Sequence, residues 1–267
     1  MATLGELSVG SIVKLNVNGV ATNFIVVHQG LPGTMYDASC DGVWLLMQDI
    51  YESRAWNSSV SNSYSASTIH SYLNSTFLNL LDTDIKNVVK NVKIPYTNGT
   101  GDSGSLATGS NGLSAQIFLL SYTEVNFTGK YGNVEGAVLS YFNGAANSKR
   151  VAYRNGSAAV WMLRSPNTSS YNCAWRVSAS GSSTAGSYKD TVTSSLGVRP
   201  ALVLPSEINV SSDGSVTLSS GAITGTVPIN GVQRELTGEG YINIGGVLRD
   251  LSDSQVNIGG ALRSTKG

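Results

Sequence analysis

The side chains that could perform acid–base or nucleophilic chemistry are few and widely spaced in this chain. Its 267 residues include two histidines and two cysteines. His28 ends an apolar, strand-like run, and His70 lies within a helical pattern. Neither has a nearby serine, cysteine or carboxylate pattern that indicates a nucleophile–base pair. Both histidines are therefore interpreted as structural.

The acidic residues do not form a catalytic or metal-binding pattern either. The carboxylates Asp49, Glu52, Glu124 and Glu135 are too scattered to be proposed as the acid–base pair of an enzyme that cleaves polysaccharide. The sequence YDASCDG at 36–42 is interpreted as a turn, because a calcium loop needs further oxygen ligands at a set spacing. We predict no catalytic residue, no metal ligand and no cofactor.

The two cysteines, Cys40 and Cys173, cannot form a structural zinc site alone, and neither belongs to a Cys-x-x-Cys pair. The favoured interpretation is two buried, reduced thiols. A disulfide between them stays open, because it depends on geometry that the sequence does not give.

Residues 165–195 have a composition typical of a binding surface. Serine, glycine, asparagine and threonine fill this segment, with Tyr171, Trp175 and Tyr188 spaced along it. Rigid aromatic residues provide contact area in antibody paratopes, and small polar residues provide adaptable hydrogen bonds. Strand-like apolar runs at 160–164 and 199–204 enclose the segment. The pattern predicts a surface that contacts a partner.

The charge balance excludes several function classes. There are 17 basic and 17 acidic residues, so no net charge attracts nucleic acid or an anionic membrane. The N-terminus shows no secretory signal pattern, and no apolar run approaches the roughly 20 residues of a membrane-spanning helix. We expect a soluble protein without membrane insertion, which does not use the standard export signal.

Apolar patterns predict the elements that carry these residues. Strand-like runs at 11–17 and 21–28 surround Asn18-Gly19, a strong signal for a two-residue hairpin turn, and 43–47 is predicted to be a buried strand. Further strands are predicted at 116–121, 150–153, 160–164 and 199–204, and loops at 99–112 and 129–136. The arginines beside these strands are expected to have structural, stacking or carbonyl-bridging roles: Arg150, Arg164 and Arg199.

Two helices are predicted between the early and late strands. The apolar stripe of the first contains Ile69, Leu73, Phe77 and Leu80, after a serine- and threonine-rich segment that can supply an N-cap. The stripe of the second contains Ile85, Val88, Val89 and Val92, with Asp82 or Thr83 as its start and Pro95 as its stop. The predicted class is α+β: an early hairpin, two helices and several strands joined by long irregular loops.

The C-terminal part changes character. We predict a domain at 1–218, which ends in a hairpin around 212–214, a linker at 219–226 and a small all-β repeat module at 227–267. The repeats are INGVQREL (229–236), IGGVLRDL (244–251) and IGGALRST (258–265), each with Asn-Gly or Gly-Gly at a hairpin turn. Isolated hairpins are barely stable. The module is expected to dock on a partner, on a copy of itself or on the main domain, and a self-contained cap on the first domain is an equal alternative.

Several sequence blocks resemble a known family. They include VVHQG, YDASCDGVWLLMQDIYESRAWN, SYLNSTFLNLLD, VKIPY, GLSAQIFLLS, LSYF, KRVAYRNGSAAVWMLRSP and GVRPALVLP. Across residues 1–218 the chain resembles a C-type-lectin-like domain family of unassigned function, frequent in phages and prophages of Gram-positive bacteria. The resemblance implies the fold shared by formylglycine-generating enzymes and by the variable receptor-binding proteins of diversity-generating retroelements.

In those variable proteins the diversified positions lie between two strands that correspond here to the ends of the segment 164–196. The resemblance makes Trp161, Arg164, Arg199 and Pro200 the scaffold of this segment. The implied ligand-contacting residues are Asn167, Ser169, Tyr171, Asn172, Trp175, Arg176, Ser178, Ser180, Ser182, Tyr188 and Lys189.

The chain departs from its relatives at two functional points. Cys40 and Cys173 do not form the active cysteine arrangement of formylglycine-generating enzymes. Calcium-dependent sugar lectins use an acidic-Pro-Asn loop and a Trp-Asn-Asp strand, whereas this chain has Ser165-Pro166-Asn167 and no Trp-Asn-Asp. The resemblance therefore brings neither the enzymatic chemistry nor calcium-mediated sugar binding.

The leading hypothesis is a non-enzymatic virion protein of a phage, prophage or phage-tail-like particle that binds a host cell-surface glycan or protein. The C-terminal repeats would contact other virion proteins or form a homo-oligomer, with a trimer favoured by analogy with three-fold fibres. The alternative is a structural virion component, such as a head-decoration, baseplate or tail protein, without a ligand of its own. An enzyme ranks well below both.

Overall fold

The computed structural model describes residues 2–128, 131–144, 146–182 and 189–218, and strands within 222–264. The chain divides into two compact units, Met1–Val216 and Thr217–Gly267. The first unit ends two residues before the predicted domain boundary at 218. Its strands, numbered in chain order, are β1 (Ala2–Thr3), β2 (Ile12–Val17), β3 (Val20–Gln29), β4 (Val43–Met47), β5 (Glu52–Ala55), β6 (Val92–Ile94), β7 (Tyr96–Asn98), β8 (Ser105–Ala107), β9 (Leu113–Ala115), β10 (Ile117–Phe118), β11 (Ala152–Arg154), β12 (Ser157–Ala159), β13 (Trp161–Pro166), β14 (Cys173–Val177), β15 (Lys189–Thr191), β16 (Ser195–Val198), β17 (Ala201–Leu204), β18 (Asn209–Val210) and β19 (Val216–Thr217), the last of which crosses the unit boundary.

Two five-stranded sheets form the framework of the first unit. One has the strand order β10-β17-β4-β3-β2, and the other has the order β15-β14-β13-β16-β5. The pairs are antiparallel except for β13 and β16, which run parallel through Trp161 and Gly197. Few helices and many strands in several small sheets make this a mixed architecture, compatible with the predicted α+β class.

The hairpin predicted from Asn18-Gly19 is confirmed. Strands β2 and β3 pair from Ile12↔Ile25 to Val17↔Val20. Asn18 has φ 52° and Gly19 has φ 74°. Positive φ at both central residues is the signature of a type I′ turn, whose twist matches that of the strands it joins. The turn residues thus set the register of the first sheet.

Both sheets contribute to one hydrophobic core. Strand β4 is buried along its whole length, as predicted. Trp44 of β4 packs edge-on against Phe118, with 5.3 Å between the ring centroids. The same core cluster contains Trp161 and Trp175 of the second sheet. Large aromatic residues of both sheets therefore lie in the same core.

The helical segment between β5 and β6 is shorter and less regular than predicted. Helix α1 (Thr68–Tyr72) continues as a π-helical turn (Leu73–Phe77) and a 3₁₀ turn (Leu78–Leu80), and helix α2 is Thr83–Val88. Ser67 is the predicted type of N-cap, since its side chain accepts a hydrogen bond from the His70 N–H. The wider π turn shifts the helical register. Leu78 is therefore buried where Leu80 was expected.

Several strand and loop predictions need correction. The predicted strand 116–121 pairs only at β10, because side chains satisfy the neighbouring backbone groups. Asn74 Oδ1 accepts from the Gln116 N–H, and the Tyr64 hydroxyl accepts from the Leu119 N–H. The predicted loop 99–112 contains β8, which pairs with β7. The polar segment 165–195 contains β14 and β15, so much of it is sheet.

The end of the first unit and the second unit are built from short hairpins. Strands β18 and β19 flank the predicted 212–214 turn, where Asp213 Oδ1 accepts from the Ser215 N–H at 3.1 Å. The second unit contains β20 (Ala222–Ile229), β21 (Val232–Glu239), β22 (Tyr241–Ile244), β23 (Val247–Asp250), β24 (Gln255–Ile258) and β25 (Ala261–Ser264). They form three separate antiparallel pairs, with two residues of each repeat between paired strands. Strand β20 begins inside the predicted linker 219–226.

Candidate functional site

The structure separates the predicted contact residues by exposure. Ser169, Tyr171 and Ser180 are exposed, and Asn172, Arg176 and Ser182 are half-buried. Asn167, Trp175 and Ser178 are buried. Tyr188 and the side chain of Lys189 lie outside the described residues. The predicted set is therefore not one continuous surface.

Trp175 was predicted to offer contact area, and this expectation is wrong. Its side chain is 2% exposed. The ring centroid lies 4.4 Å from that of Tyr122, and the indole N–H donates to the Tyr131 carbonyl at 2.9 Å. Trp175 lies on β14, an interior strand of the second sheet, and faces the core. Composition alone could not separate this core residue from its exposed neighbours.

A single buried side chain, Asn62, organises the exposed part of the segment. Its Nδ2 donates to the carbonyls of Ser170 and Cys173, each at 2.7 Å. Its Oδ1 accepts from the Gly101 N–H at 2.9 Å. Its own N–H donates to the Tyr171 carbonyl at 2.7 Å. Asn62 therefore joins three chain segments through both its side chain and its backbone.

The 167–172 loop also has hydrogen bonds of its own. Asn167 Oδ1 accepts from the Ser169 N–H at 2.9 Å and from the Ser169 hydroxyl at 2.6 Å. The Asn167 N–H donates to the Cys173 carbonyl at 2.9 Å, which closes the base of the loop. Asx-turns of this kind fix the backbone of a loop locally. The loop is thus held from below by Asn62 and from within by Asn167.

The backbone at Gly101 lies very close to the backbone at Asn167 in this arrangement. A Cβ atom on Gly101 would lie 2.2 Å from the Asn167 carbonyl oxygen. Only glycine permits that approach. The packing of the 99–104 segment against the loop base therefore depends on this residue.

Tyr171 stands at the exposed end of the loop. Its side chain is 54% exposed, although its backbone is fixed by Asn62. Two residues before Asn62 in the chain, Val60 is 60% exposed in the 57–61 loop. We call the 167–172 loop and the 57–61 loop together the Tyr171 surface. It combines two exposed apolar side chains with serine and asparagine groups.

Sequence analysis missed Asn62 and the 57–61 loop. Residues 57–65 read NSSVSNSYS, the same serine- and asparagine-rich composition that singled out residues 165–195. That likeness was the available signal. The two segments are about a hundred residues apart, and only the fold brings them together.

A buried ionic network lies on the core side of the second sheet. Arg164 on β13 donates two hydrogen bonds to Glu124: Nη1 to Oε2 at 2.6 Å and Nη2 to Oε1 at 2.7 Å. The Tyr36 hydroxyl donates to Glu124 Oε1 at 2.9 Å. Burial opposes the charge of Arg164, but the pairing with Glu124 outweighs it and raises the pKa of the guanidinium. Such bidentate pairs are strong and geometrically specific.

Glu135 adds a second carboxylate to this network. Its Oε1 accepts from the Thr97 N–H at 2.7 Å and from the Thr97 hydroxyl at 2.6 Å, and Oε2 accepts from the Ser165 hydroxyl. Burial raises the pKa of Glu135, and the Arg164 charge opposes that shift. Sequence spacing gave no reason to pair Glu124 with Glu135, yet both surround Arg164.

This network is structural in its geometry. The side chains of Arg164, Glu124 and Glu135 are buried, and the carboxylate oxygens accept hydrogen bonds from protein donors. A substrate would have to displace these donors to reach either carboxylate. The network instead fixes β13, from which the 167–172 loop departs.

The structural roles predicted for the three arginines are confirmed. Arg150 Nε donates to the Gly181 carbonyl at 2.9 Å, and Arg199 Nε donates to the Met47 carbonyl at 2.8 Å. The Arg199 guanidinium lies 4.8 Å from the Trp161 ring centroid, and burial lowers its pKa to about 10. Arg199 thus contacts both Trp161 of the second sheet and Met47 of the first.

The cysteine and histidine side chains are groups that could act as a nucleophile or a base. Cys40 and Cys173 are free thiols, and Cys173 is only half-buried, contrary to expectation. Burial raises the pKa of Cys40 to about 12. Burial lowers the pKa of His28 and of His70. His28 Nδ1 accepts from the Ser140 N–H at 3.2 Å, so its imidazole joins β3 to the distant 3₁₀ turn Ser140–Phe142.

Asp37 and Asp41 take the turn role predicted for YDASCDG. Asp37 caps the 3₁₀ turn Ala38–Cys40 by accepting from the Ser39 N–H at 2.9 Å. Among the described residues, no three histidine, cysteine or acidic side chains lie together as a group that could hold a metal ion. No helix within the described ranges is long and apolar enough to cross a membrane.

A separate cleft of about 730 Å³ lies beside the N-terminal segment. Its lining includes Asp41, Lys90 and Glu207. The Lys90 ammonium donates to the Asp41 carbonyl, so this cation already has a partner. The lining contains no histidine or cysteine, and the cleft is a weaker candidate site than the Tyr171 surface.

The fold and the site define a mixed α+β domain that presents a preformed, polar loop surface. Residues 41–206, more than half of the chain, match the family described as a domain of unknown function, DUF6273, and the chain belongs to this family. No curated protein and no solved structure matches it. The family match lies wholly within the first unit.

Proposed function

We propose that the chain is a non-enzymatic virion protein of a phage, prophage or phage-tail-like particle, and that its Tyr171 surface binds a host cell-surface component. The supporting observation is the attachment of the 167–172 loop to Asn62. A loop fixed before binding loses less conformational entropy when a ligand is bound. An exposed tyrosine on such a loop is a typical paratope element.

We also propose that the domain is C-type-lectin-like. The sequence resemblance across residues 1–218 is the basis of this proposal. The position of the 167–172 loop supports it, since the loop follows β13, which carries Trp161 and Arg164, and precedes β17, next to Arg199 and Pro200. All four proposed scaffold residues are buried.

The C-terminal hairpins are proposed to serve assembly. Each of the three strand pairs is a separate two-stranded sheet. An isolated two-stranded hairpin is marginal in water. We propose that these hairpins contact other virion proteins or further copies of the chain, in a trimer.

The proposal is tested with purified full-length protein and cells of a panel of Gram-positive bacteria. We expect binding to cells of the host, and Tyr171→Ala is expected to weaken it at least tenfold, about 1.4 kcal/mol. Tyr153→Ala is the matched control, because Tyr153 is 49% exposed on β11. Trp175 is left unchanged, because its substitution would damage the core.

The two virion functions predict different results. If no cell in the panel binds the chain, even in an avidity-enhanced form, the binding proposal is wrong and a structural virion role is favoured. Equal loss of binding in Tyr171→Ala and Tyr153→Ala would contradict the location of the site.

A further inference from the structure

We propose that the ligand of the Tyr171 surface is an uncharged polysaccharide and that the 57–61 loop forms the second half of its binding site. This inference rests on the proposed function. It narrows the ligand from a glycan or a protein to an uncharged polysaccharide, and it adds a second loop that was not predicted from the sequence.

The charge distribution carries the argument. Residues 55–68 and 165–175 contain no aspartate, glutamate, lysine, arginine or histidine. Recognition of phosphate- or carboxylate-bearing polymers depends on arginine and lysine side chains. The exposed charge of the adjoining 99–104 segment is Asp102, which would repel an anion. The two loops of the Tyr171 surface therefore offer no cation to an anionic polymer, and the cationic residues of the predicted contact set, Arg176 and Lys189, lie outside these loops on β14 and β15.

The remaining groups match a sugar. The aromatic face of Tyr171 can pack against the aliphatic face of a pyranose ring, as aromatic residues pack against other apolar groups. Ser169 and Asn172 carry a hydroxyl and an amide group on the same loop. Each of them can both donate and accept hydrogen bonds, as sugar hydroxyls can. Neutral groups that both donate and accept hydrogen bonds suit an uncharged polyol.

Asn167 provides one more feature at the base of the loop. Its side chain is buried, and its Nδ2 has no hydrogen-bond partner among the described residues. The Oδ1 atom of the same amide is fixed by Ser169, so the direction of Nδ2 is fixed as well. A buried donor without an acceptor is costly, and a ligand hydroxyl that reaches it would be favoured.

The 57–61 loop belongs to the same site because Asn62 links it to Tyr171. The Asn62 N–H donates to the Tyr171 carbonyl at 2.7 Å, and Val60 is exposed two residues earlier. The Asn57 N–H donates to the Val192 carbonyl at 2.9 Å, and the Val192 N–H donates to the Asn172 carbonyl at 3.0 Å. Both ends of the 57–61 loop are thus connected to the 167–172 loop.

The ligand class is tested by competition. Polysaccharide released from the walls of cells that bind the full-length chain is separated by anion exchange into an uncharged and an anionic fraction. We expect the uncharged fraction to compete for binding. We also expect the affinity to change less than about twofold between roughly 50 and 500 mM salt, since no ion pair is screened.

Paired variants test the composition of the site. Val60→Asp is expected to weaken binding about tenfold, whereas Val20→Asp is expected to leave it unchanged. Val20 is a matched control because it is 64% exposed beside the β2–β3 turn, in the other five-stranded sheet. Tyr171→Phe is expected to retain binding, since the ring face remains.

The contrary outcomes are distinct. Competition by the anionic fraction, or loss of affinity with salt, would overturn the uncharged class and leave host binding intact. Loss of binding after protease treatment of the cell walls would identify a protein ligand and overturn the inference in the same way. Equal effects of Val60→Asp and Val20→Asp would remove the 57–61 loop from the site. Failure of the chain to bind any cells would overturn the proposed function and this inference with it.

Discussion

Asn62 and Arg164 solve similar problems in different parts of the molecule. Asn62 donates to the Ser170 carbonyl in the 167–172 loop and to the Cys173 carbonyl at the start of β14, and Arg164 donates to a carbonyl and a carboxylate inside the core. Buried polar groups are costly when a partner is missing, so each residue acts as the centre of a hydrogen-bond network. The exposed Tyr171 depends on the first network directly and on the second through β13.

Replacing Asn62 tests the first network. Asn62→Ala removes the Asn62 hydrogen bonds from the Ser170 and Cys173 carbonyls and from the Gly101 N–H, and the Cys173 carbonyl keeps the bond from the Asn167 N–H. We expect the free energy of unfolding to fall by about 2 to 4 kcal/mol. Urea denaturation measures the change, with Ser59→Ala as an exposed control within about 0.5 kcal/mol of the wild type. A loss no larger than that of the control would show that the loop does not depend on Asn62.

Glu135 provides a pH-dependent test of the second network. Burial raises its folded-state pKa above the ordinary value, so the folded protein holds this proton more tightly than the unfolded chain. Its contribution to stability is therefore greatest at acid pH and is lost as the pH rises through the folded-state pKa. We expect the stability of the wild type relative to Glu135→Gln to increase as the pH falls from neutral toward the ordinary glutamate pKa.

Urea denaturation at several pH values measures this difference. A constant difference between wild type and Glu135→Gln, or a decrease toward acid pH, would contradict the raised pKa.

At this scale the sequence predicted the arginine roles but not their partners. Arg150, Arg164 and Arg199 lie beside strands, and that position indicates carbonyl contacts. The convergence of Glu124 and Glu135 on Arg164 depends on loop paths that local patterns do not encode. The burial of Trp175 depends on which face of β14 meets the core, and the composition of the neighbouring residues does not indicate that face.

The elements with local signals are the ones that the sequence predicted. The β2–β3 hairpin follows from Asn18-Gly19, and β4 follows from its apolar run. Helix α1 follows from its stripe and from the Ser67 cap. Strand β5, ESRA, lacks an apolar run, and β14, CAWRV, has only a short one; they pair with β16 and β13. Their existence is a property of the sheet and not of their own residues.

The type I′ turn allows a test at the scale of one element. Gly19→Ala places a Cβ in open space but at φ 74°, so its cost is conformational. We expect a loss of about 1 kcal/mol in the free energy of unfolding. Gly33→Ala is the control, because φ there is not in the left-handed region and the nearest atom to its Cβ would be at 3.5 Å. Equal stabilities of the two variants, measured by thermal denaturation, would contradict the assigned turn.

The whole chain consists of two units of different character. The first, Met1–Val216, contains both five-stranded sheets and the described core. The second contains three strand pairs that belong to separate sheets. The repeats led to the prediction of a separate C-terminal module, because repeats are local features of a sequence. The strand order within the two five-stranded sheets could not be predicted from such patterns, because it joins strands that are distant in sequence.

A shortened chain tests this division. Because the described hydrophobic core lies in the first unit, residues 1–218 are expected to fold alone and to unfold cooperatively. The full chain is expected to be a trimer and residues 1–218 a monomer, as measured by light scattering. Absence of a cooperative transition in residues 1–218 would show that the second unit is needed for folding. The same number of copies in the assemblies of the full chain and of residues 1–218 would contradict the assembly role of the repeats.

The central claim is that Tyr171 contacts the host surface on the intact particle. The most direct measurement is the adsorption rate constant of particles that carry Tyr171→Ala, beside particles that carry Tyr153→Ala. We expect the adsorption rate constant to fall about tenfold or more for Tyr171→Ala, with normal particle yield and stability, and to stay unchanged for Tyr153→Ala. Normal adsorption of Tyr171→Ala particles would contradict a receptor-binding role for this surface.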